Sequence, residues 1–116
     1  MNTVCIIGRI ANDLELEYFK TKKGDLASLK FSVAIDRNED VTDFIQCDAL
    51  GATAEFIEKW FKKGVRIGIM GKIQQDKWET KDGESRYRTY VMINHVDFAD
   101  GKAVEDEPKK GNRRGR

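Results

Sequence analysis

The chain has 116 residues, 21 Lys+Arg against 20 Asp+Glu, a formal net charge of +1 and one histidine, which bounds it to one domain with a real core. Charge this balanced excludes a broadly basic surface as the basis of function, so any nucleic-acid role must rest on local arrangement. No apolar run approaches the ~20 residues of a membrane span, and "MNTVCIIGRI" lacks the basic and apolar regions of a signal peptide, so the expected location is the cytoplasm.

In chain order the pattern is mostly period two, the signature of half-buried strands. "TVCIIGRI" (3–10) is an apolar strand interrupted at Gly8, a place for a bend or a close backbone approach. Cys5 lies in it and Cys47 in a later strand; they form no CxxC pair, and both are expected to act as small buried hydrophobes. "LELEYF" (14–19) sets Leu14, Leu16 and Tyr18 on one face, and "KKGD" (22–25) is turn chemistry. "LKFSVAI" (29–35) aligns Leu29, Phe31, Val33 and Ile35, and "DRNEDVTD" (36–43) reads as a loop. "FIQCDALG" (44–51) places Ile45, Cys47 and Ala49 on one face and Phe44, Gln46, Asp48 and Leu50 on the other.

One helix interrupts the strands. In "ATAEFIEKWFKKG" (52–64), Phe56, Ile57, Trp60 and Phe61 form an apolar stripe, which makes Trp60 a core residue. Lys62 and Lys63 suit its last turn, and Gly64 suits a left-handed residue after it.

"VRIGIMGKI" (65–73) aligns Val65, Ile67, Ile69 and Ile73, and counting on by twos puts Trp78 on the opposite, polar face with Met70 and Lys72. An indole among Asp76, Lys77, Glu79 and Lys81 either packs across a hairpin with Tyr87 or serves as an exposed contact surface. Asp82-Gly83 signals a tight hairpin, pairing Lys81 with Glu84, Trp78 with Tyr87 and Lys77 with Arg88. That register would set Val91 and Ile93 on the wrong face, so a bulge or a longer loop must intervene. "RYRTYVMINHV" (86–96) is the last strand, and the charged "GKAVEDEPKKGNRRGR" (101–116) reads as a disordered tail after a domain at 1–100.

Five strands with one helix between the third and fourth define an all-β chain with one helix: an OB-fold, a five-stranded Greek-key barrel. Exposed aromatics on such a barrel suit base stacking, since every base has a π-face.

The blocks "NTVCIIGRIANDLE", "FSVAIDR", "FIQCDALGATAEFIEKWFKKG", "VRIGIMGKIQQDKW" and "GESRYRTYV", in order over residues 2 to 98, resemble bacterial and phage single-stranded DNA-binding proteins. The resemblance implies sequence-independent binding of single-stranded DNA in replication, recombination or repair, by OB barrels assembled as homotetramers, with a dimer as the alternative. Trp78 matches a family stacking tryptophan in the loop between the last two strands. Phe44 stands where another stacking tryptophan is common, and Leu50 where an aromatic is common. Tyr87, set opposite Trp78, and the basic Lys72, Lys77, Arg86 and Arg88 complete the candidate DNA-binding set. Departures from the family are Leu14 in place of a proline, and Gln46, Gln74 and Asp76 at positions often basic. The closing "KKGNRRGR" stands where partner-recruiting members have an acidic, hydrophobic tip, which implies a short, phage- or plasmid-type form.

The apolar face of 3–10 exceeds what one small barrel needs, in keeping with pairing between subunits. An OB module that binds proteins through Phe44 and Trp78 is the alternative function. An enzyme is not expected: the acids are spread as surface charge, with no ligand spacing for a metal and no cofactor motif. Neither a small-molecule substrate nor a membrane is expected as a partner.

Overall fold

The computed structural model describes residues 1–99; the tail expected at 101–116 lies outside the described residues. The elements are β1 (Val4–Ile10), β2 (Glu17–Thr21), β3 (Gly24–Asp36), β4 (Thr42–Leu50), α1 (Gly51–Trp60), β5 (Arg66–Glu79) and β6 (Ser85–Phe98). The strands run in the order β1-β5-β6-β4-β3-β2, and a further β1–β3 pairing closes the ring. Every pairing is antiparallel except β4 with β6, where Cys47 meets Val91 and Asp48 meets Met92. The OB-fold order holds. Short β2 folds straight back on β3 as a sixth segment, and α1 follows the strand that carries Cys47, as expected.

Alternation decides what the barrel buries. Leu29, Phe31 and Val33 of β3, Cys47 and Ala49 of β4, Ile67 and Ile69 of β5, and Val91 and Ile93 of β6 meet in one core. The register conflict on β6 is resolved by a loop one residue longer than expected, which pairs Ile73 with Val91 and Gly71 with Ile93. A bulge follows: Met70 pairs with His95 but Gly71 with Ile93, so Asn94 is the extra residue, and beyond it Val96 and Phe98 fall opposite Ile69 and Ile67 and pack against the core. Gly8 serves the close approach: a Cβ there would lie 2.5 Å from the Ala34 carbonyl oxygen and 2.6 Å from Val33.

Several expectations need correction. Cys5 is exposed, because it alternates outward on β1, while Cys47 is buried. β2 starts at Glu17; Leu14 and Leu16 pack against the core from the preceding loop, and Tyr18 is exposed. Ile73 keeps the parity of Ile67 and Ile69 but is exposed, because β5 has run past the barrel there. The helix ends at Trp60, with Phe61 already extended at φ −125°. Gly64, at φ 91°, instead sits in the turn closed by Val65 N–H donating to the Lys62 carbonyl at 3.1 Å.

Trp60 is not a core residue; it is 45% exposed. The stripe that enters the core is Ala54, Ile57 and, beyond the helix end, Phe61. Phe56 and Trp60 form the flank of that stripe: Phe56 packs edge-on against Phe98 at 5.9 Å, and the Lys59 ammonium sits 5.4 Å from the Trp60 ring. Four aromatic or aliphatic residues on a short helix make a stripe wider than the barrel end covers.

Candidate nucleic-acid interface

The outward positions of β4 are Phe44, Gln46, Asp48 and Leu50, and their β3 partners are Ala34, Ser32, Lys30 and Ser28. Phe44 is 62% exposed at one end of this track, and Leu50 is exposed at the other. Between them Gln46 Nε2 donates to Ser32 Oγ at 2.6 Å, a neutral contact with no charge to repel a phosphate. On the far side of β3, Phe19 pairs with Leu26 and so shares the face of Ser28 and Leu50. It is an exposed aromatic outside the set expected from the sequence. The signal was available, since the "KKGD" turn fixes the parity of β2 against β3.

Beyond the barrel, β5 and β6 continue as a two-stranded ribbon. Trp78, Asp76 and Gln74 lie opposite Arg86, Arg88 and Tyr90 on one face; Lys77 and Gln75 lie opposite Tyr87 and Thr89 on the other. Trp78 is 48% exposed, in agreement with its expected place on the polar face. The expected pairing of Trp78 with Tyr87, and of Lys77 with Arg88, is wrong by one residue. The loop has three residues rather than two: Gly83 N–H donates to the Thr80 carbonyl at 3.0 Å, Thr80 N–H to the Glu84 carbonyl at 2.8 Å, and Gly83 takes φ 83°. A turn followed by a left-handed glycine is the usual three-residue hairpin. A slip of one residue moves every side chain to the other face. Tyr87 and Lys77 are therefore behind Trp78, with the Lys77 ammonium 5.7 Å from the Tyr87 ring.

The ribbon and the β4 track are tied by an ion pair. Arg88 donates from Nη1 to Asp48 Oδ2 at 2.9 Å and from Nη2 to Oδ1 at 2.6 Å, and Lys30 Nζ donates to Oδ2 at 3.1 Å. The Asp48 side chain is only 7% exposed. Burial alone pushes its carboxyl pKa up; the hydrogen bonds and charges of Arg88 and Lys30 overcome that and hold it below the ordinary carboxylate range. The guanidinium of Arg88 also lies 4.6 Å from the Tyr90 ring, whose hydroxyl is 3.1 Å from Asp76 Oδ1 and 3.2 Å from Gln74 Oε1. Burial, then the Asp76 contact, raises the Tyr90 pKa.

Among the predicted site residues, the structure brings Phe44, Leu50, Trp78, Lys72, Arg86 and Arg88 to one side by register and sets Tyr87 and Lys77 on the other. Arg86 sits 3.8 Å from Glu84, a loose exposed pair that leaves it in solvent. Arg88 is held by Asp48. The hub at Asp48 was missed because an acid on an outward position reads as surface charge; only the fold brings two cations to it. Among the described residues no cluster of three or more His, Cys, Asp or Glu could hold a metal ion, and no helix is long and apolar enough to cross a membrane.

A small closed β-barrel with Phe44 and Leu50 exposed along one outer track and Trp78 on a projecting ribbon defines an OB-fold protein. The family model described as "Single-strand binding protein family" matches residues 1–99. Curated relatives named single-stranded DNA-binding protein include those of Clostridium perfringens, 36% identical over 102 residues, covering 86% of this chain and 67% of the relative. That of Fusobacterium nucleatum is 37% identical, covering 88% of this chain and 69% of the relative. That of Onion yellows phytoplasma is 30% identical, covering 88% of this chain and 97% of the relative. The chain belongs to the single-strand binding protein family.

Proposed function

We propose that this chain binds single-stranded DNA without sequence preference, protecting it during replication, recombination or repair in the cytoplasm. Bases stack on Trp78 and Phe44; Leu50 and Phe19 continue the track at its far end. Lys72 and Arg86 meet phosphates on the same side. The observation that carries this reading is the half-exposed indole of Trp78, held by register on the ribbon face that the Arg88–Asp48 pair joins to Phe44. Stacking is the fitting use for such a residue, because aromatic rings accept any base while hydrogen-bond readout would impose sequence.

The same reading includes assembly. Ile7, Met70 and Cys5 are exposed together on the outer face of β1 and β5, where Cys5 pairs with Met70 and Ile7 crosses Gly68. An apolar patch of this kind suits a subunit contact. We infer a homotetramer, with a dimer as the alternative.

Tryptophan fluorescence titrated with oligo-dT tests the function, with Trp60→Phe isolating the Trp78 signal. Strong quenching that saturates at a fixed nucleotide count per protein, equal for dT and mixed sequences, is the expected result. Unquenched Trp78 and no retention of oligo-dT would overturn it.

A further inference from the structure

Asp48 is the only acid among residues 44 to 50, and it stands in the middle of the stacking track. Its neighbours on that face, Gln46 and Leu50, are neutral. Well-packed apolar side chains often match a buried ion pair in stability, so stability alone does not select a carboxylate at this position. What the carboxylate does is hold cations. Arg88 is bound through both terminal nitrogens and lies against Tyr90, while Lys30, half-exposed, shares Oδ2. These two are the basic side chains nearest the centre of the track. A bidentate guanidinium facing a carboxylate has its fork already occupied, and a phosphate oxygen would have to displace Asp48 to use it.

Resting on the single-stranded DNA reading above, we propose that Asp48 is a built-in restraint on DNA binding. It keeps Arg88, and part of Lys30, from the phosphates that cross between Phe44 and Leu50, and so weakens binding and lowers its dependence on salt. The chain then holds DNA mainly by stacking, in a form that releases readily.

The experiment measures affinity for oligo-dT across a salt series, for the full chain and the variants Asp48→Asn, Arg88→Gln and the double variant. Asparagine keeps the shape of Asp48 without its charge. Asp48→Asn binds more tightly at low salt, with a slope of log K against log salt steeper by about 0.7 for each additional phosphate neutralised, about 1.4 if both cations are freed. The double variant loses the share due to Arg88, about 0.7. Arg88→Gln alone does not make the slope shallower. A folded Asp48→Asn, checked by thermal melting, with unchanged or weaker binding overturns the proposal. So does a slope about 0.7 shallower in Arg88→Gln alone, which is the mark of an arginine already on a phosphate. That second comparison decides the matter if Asp48→Asn does not fold. Unaltered protein that fails to bind oligo-dT overturns the function reading itself; binding with a flat Asp48→Asn response overturns this inference alone.

Discussion

Trp78 lies directly opposite Arg86 across the β5–β6 ribbon, so an indole and a guanidinium share one face while Tyr87 is turned to the other. The pairing follows from the three-residue loop at 81–83, and it separates two aromatics that a two-residue loop would have stacked together. Trp78→Ala should cost about 1–3 kcal/mol of affinity for oligo-dT with little change in melting temperature. Tyr87→Ala should cost much less. Equal losses in a binding titration would mean that DNA wraps both faces of the ribbon.

The two faces of β4 make a second contrast. Phe44 is exposed and outward; Ile45, its neighbour, packs against the core. Phe44→Ala should weaken DNA binding and leave the denaturation midpoint nearly unchanged. Ile45→Ala should leave binding intact in the folded protein and lower stability by about 2 kcal/mol, the low end for a buried aliphatic because Ile45 is only partly buried. Swapped phenotypes in paired melting and binding assays would reverse the assignment of faces.

What the sequence made legible was whatever depends on period two. The parity of β4 separated Phe44 and Leu50 from Cys47 and Ala49, and the parity of β5 put Trp78 outside the core; both agree with the structure. The need for a bulge or longer loop was visible too, from the conflict between Ile73 and Val91, and both are present. Its place was not, because a sequence does not say which residue a ladder skips. Trp60 was misplaced because helical periodicity gives the direction of a stripe but not how much of it a neighbour covers. Arg88 read as a free cation because its partner is 40 residues away. Such a pair exists only once β6 lies beside β4.

The two cysteines should differ in reactivity. Cys5 is exposed on β1. Burial, with a smaller contribution from the Asp48 charge, pushes the Cys47 thiol pKa up to about 12, leaving almost no thiolate at neutral pH. A thiol-specific reagent at neutral pH should leave Cys47 unlabelled in the native protein and label both cysteines in denaturant. Peptide mapping should place any native label on Cys5, and that label should fade as protein concentration rises and the patch of Cys5, Ile7 and Met70 is covered by a subunit contact. Rapid native labelling of Cys47 would show that the barrel opens at β4 on the timescale of the reaction.

The pH dependence of stability carries the sign of the Asp48 contacts. Its folded pKa lies below its unfolded value, ordinarily about 3.9. In the range between the two values the unfolded chain binds more protons than the folded one, so stability rises with pH there. The contribution is fully present above about pH 4–5 and is lost as pH falls through the folded pKa. Asp48→Asn has no carboxylate to titrate at this position and lacks that contribution at every pH. The unaltered protein and Asp48→Asn should therefore differ by a constant amount in urea-denaturation stability near neutral pH, and by a shrinking amount below about pH 4. Taking the difference between the two cancels the other carboxylates that titrate in the same range. A gap that stays level or widens on acidification would mean that Arg88 and Lys30 do not stabilise the charged form of Asp48 in the fold.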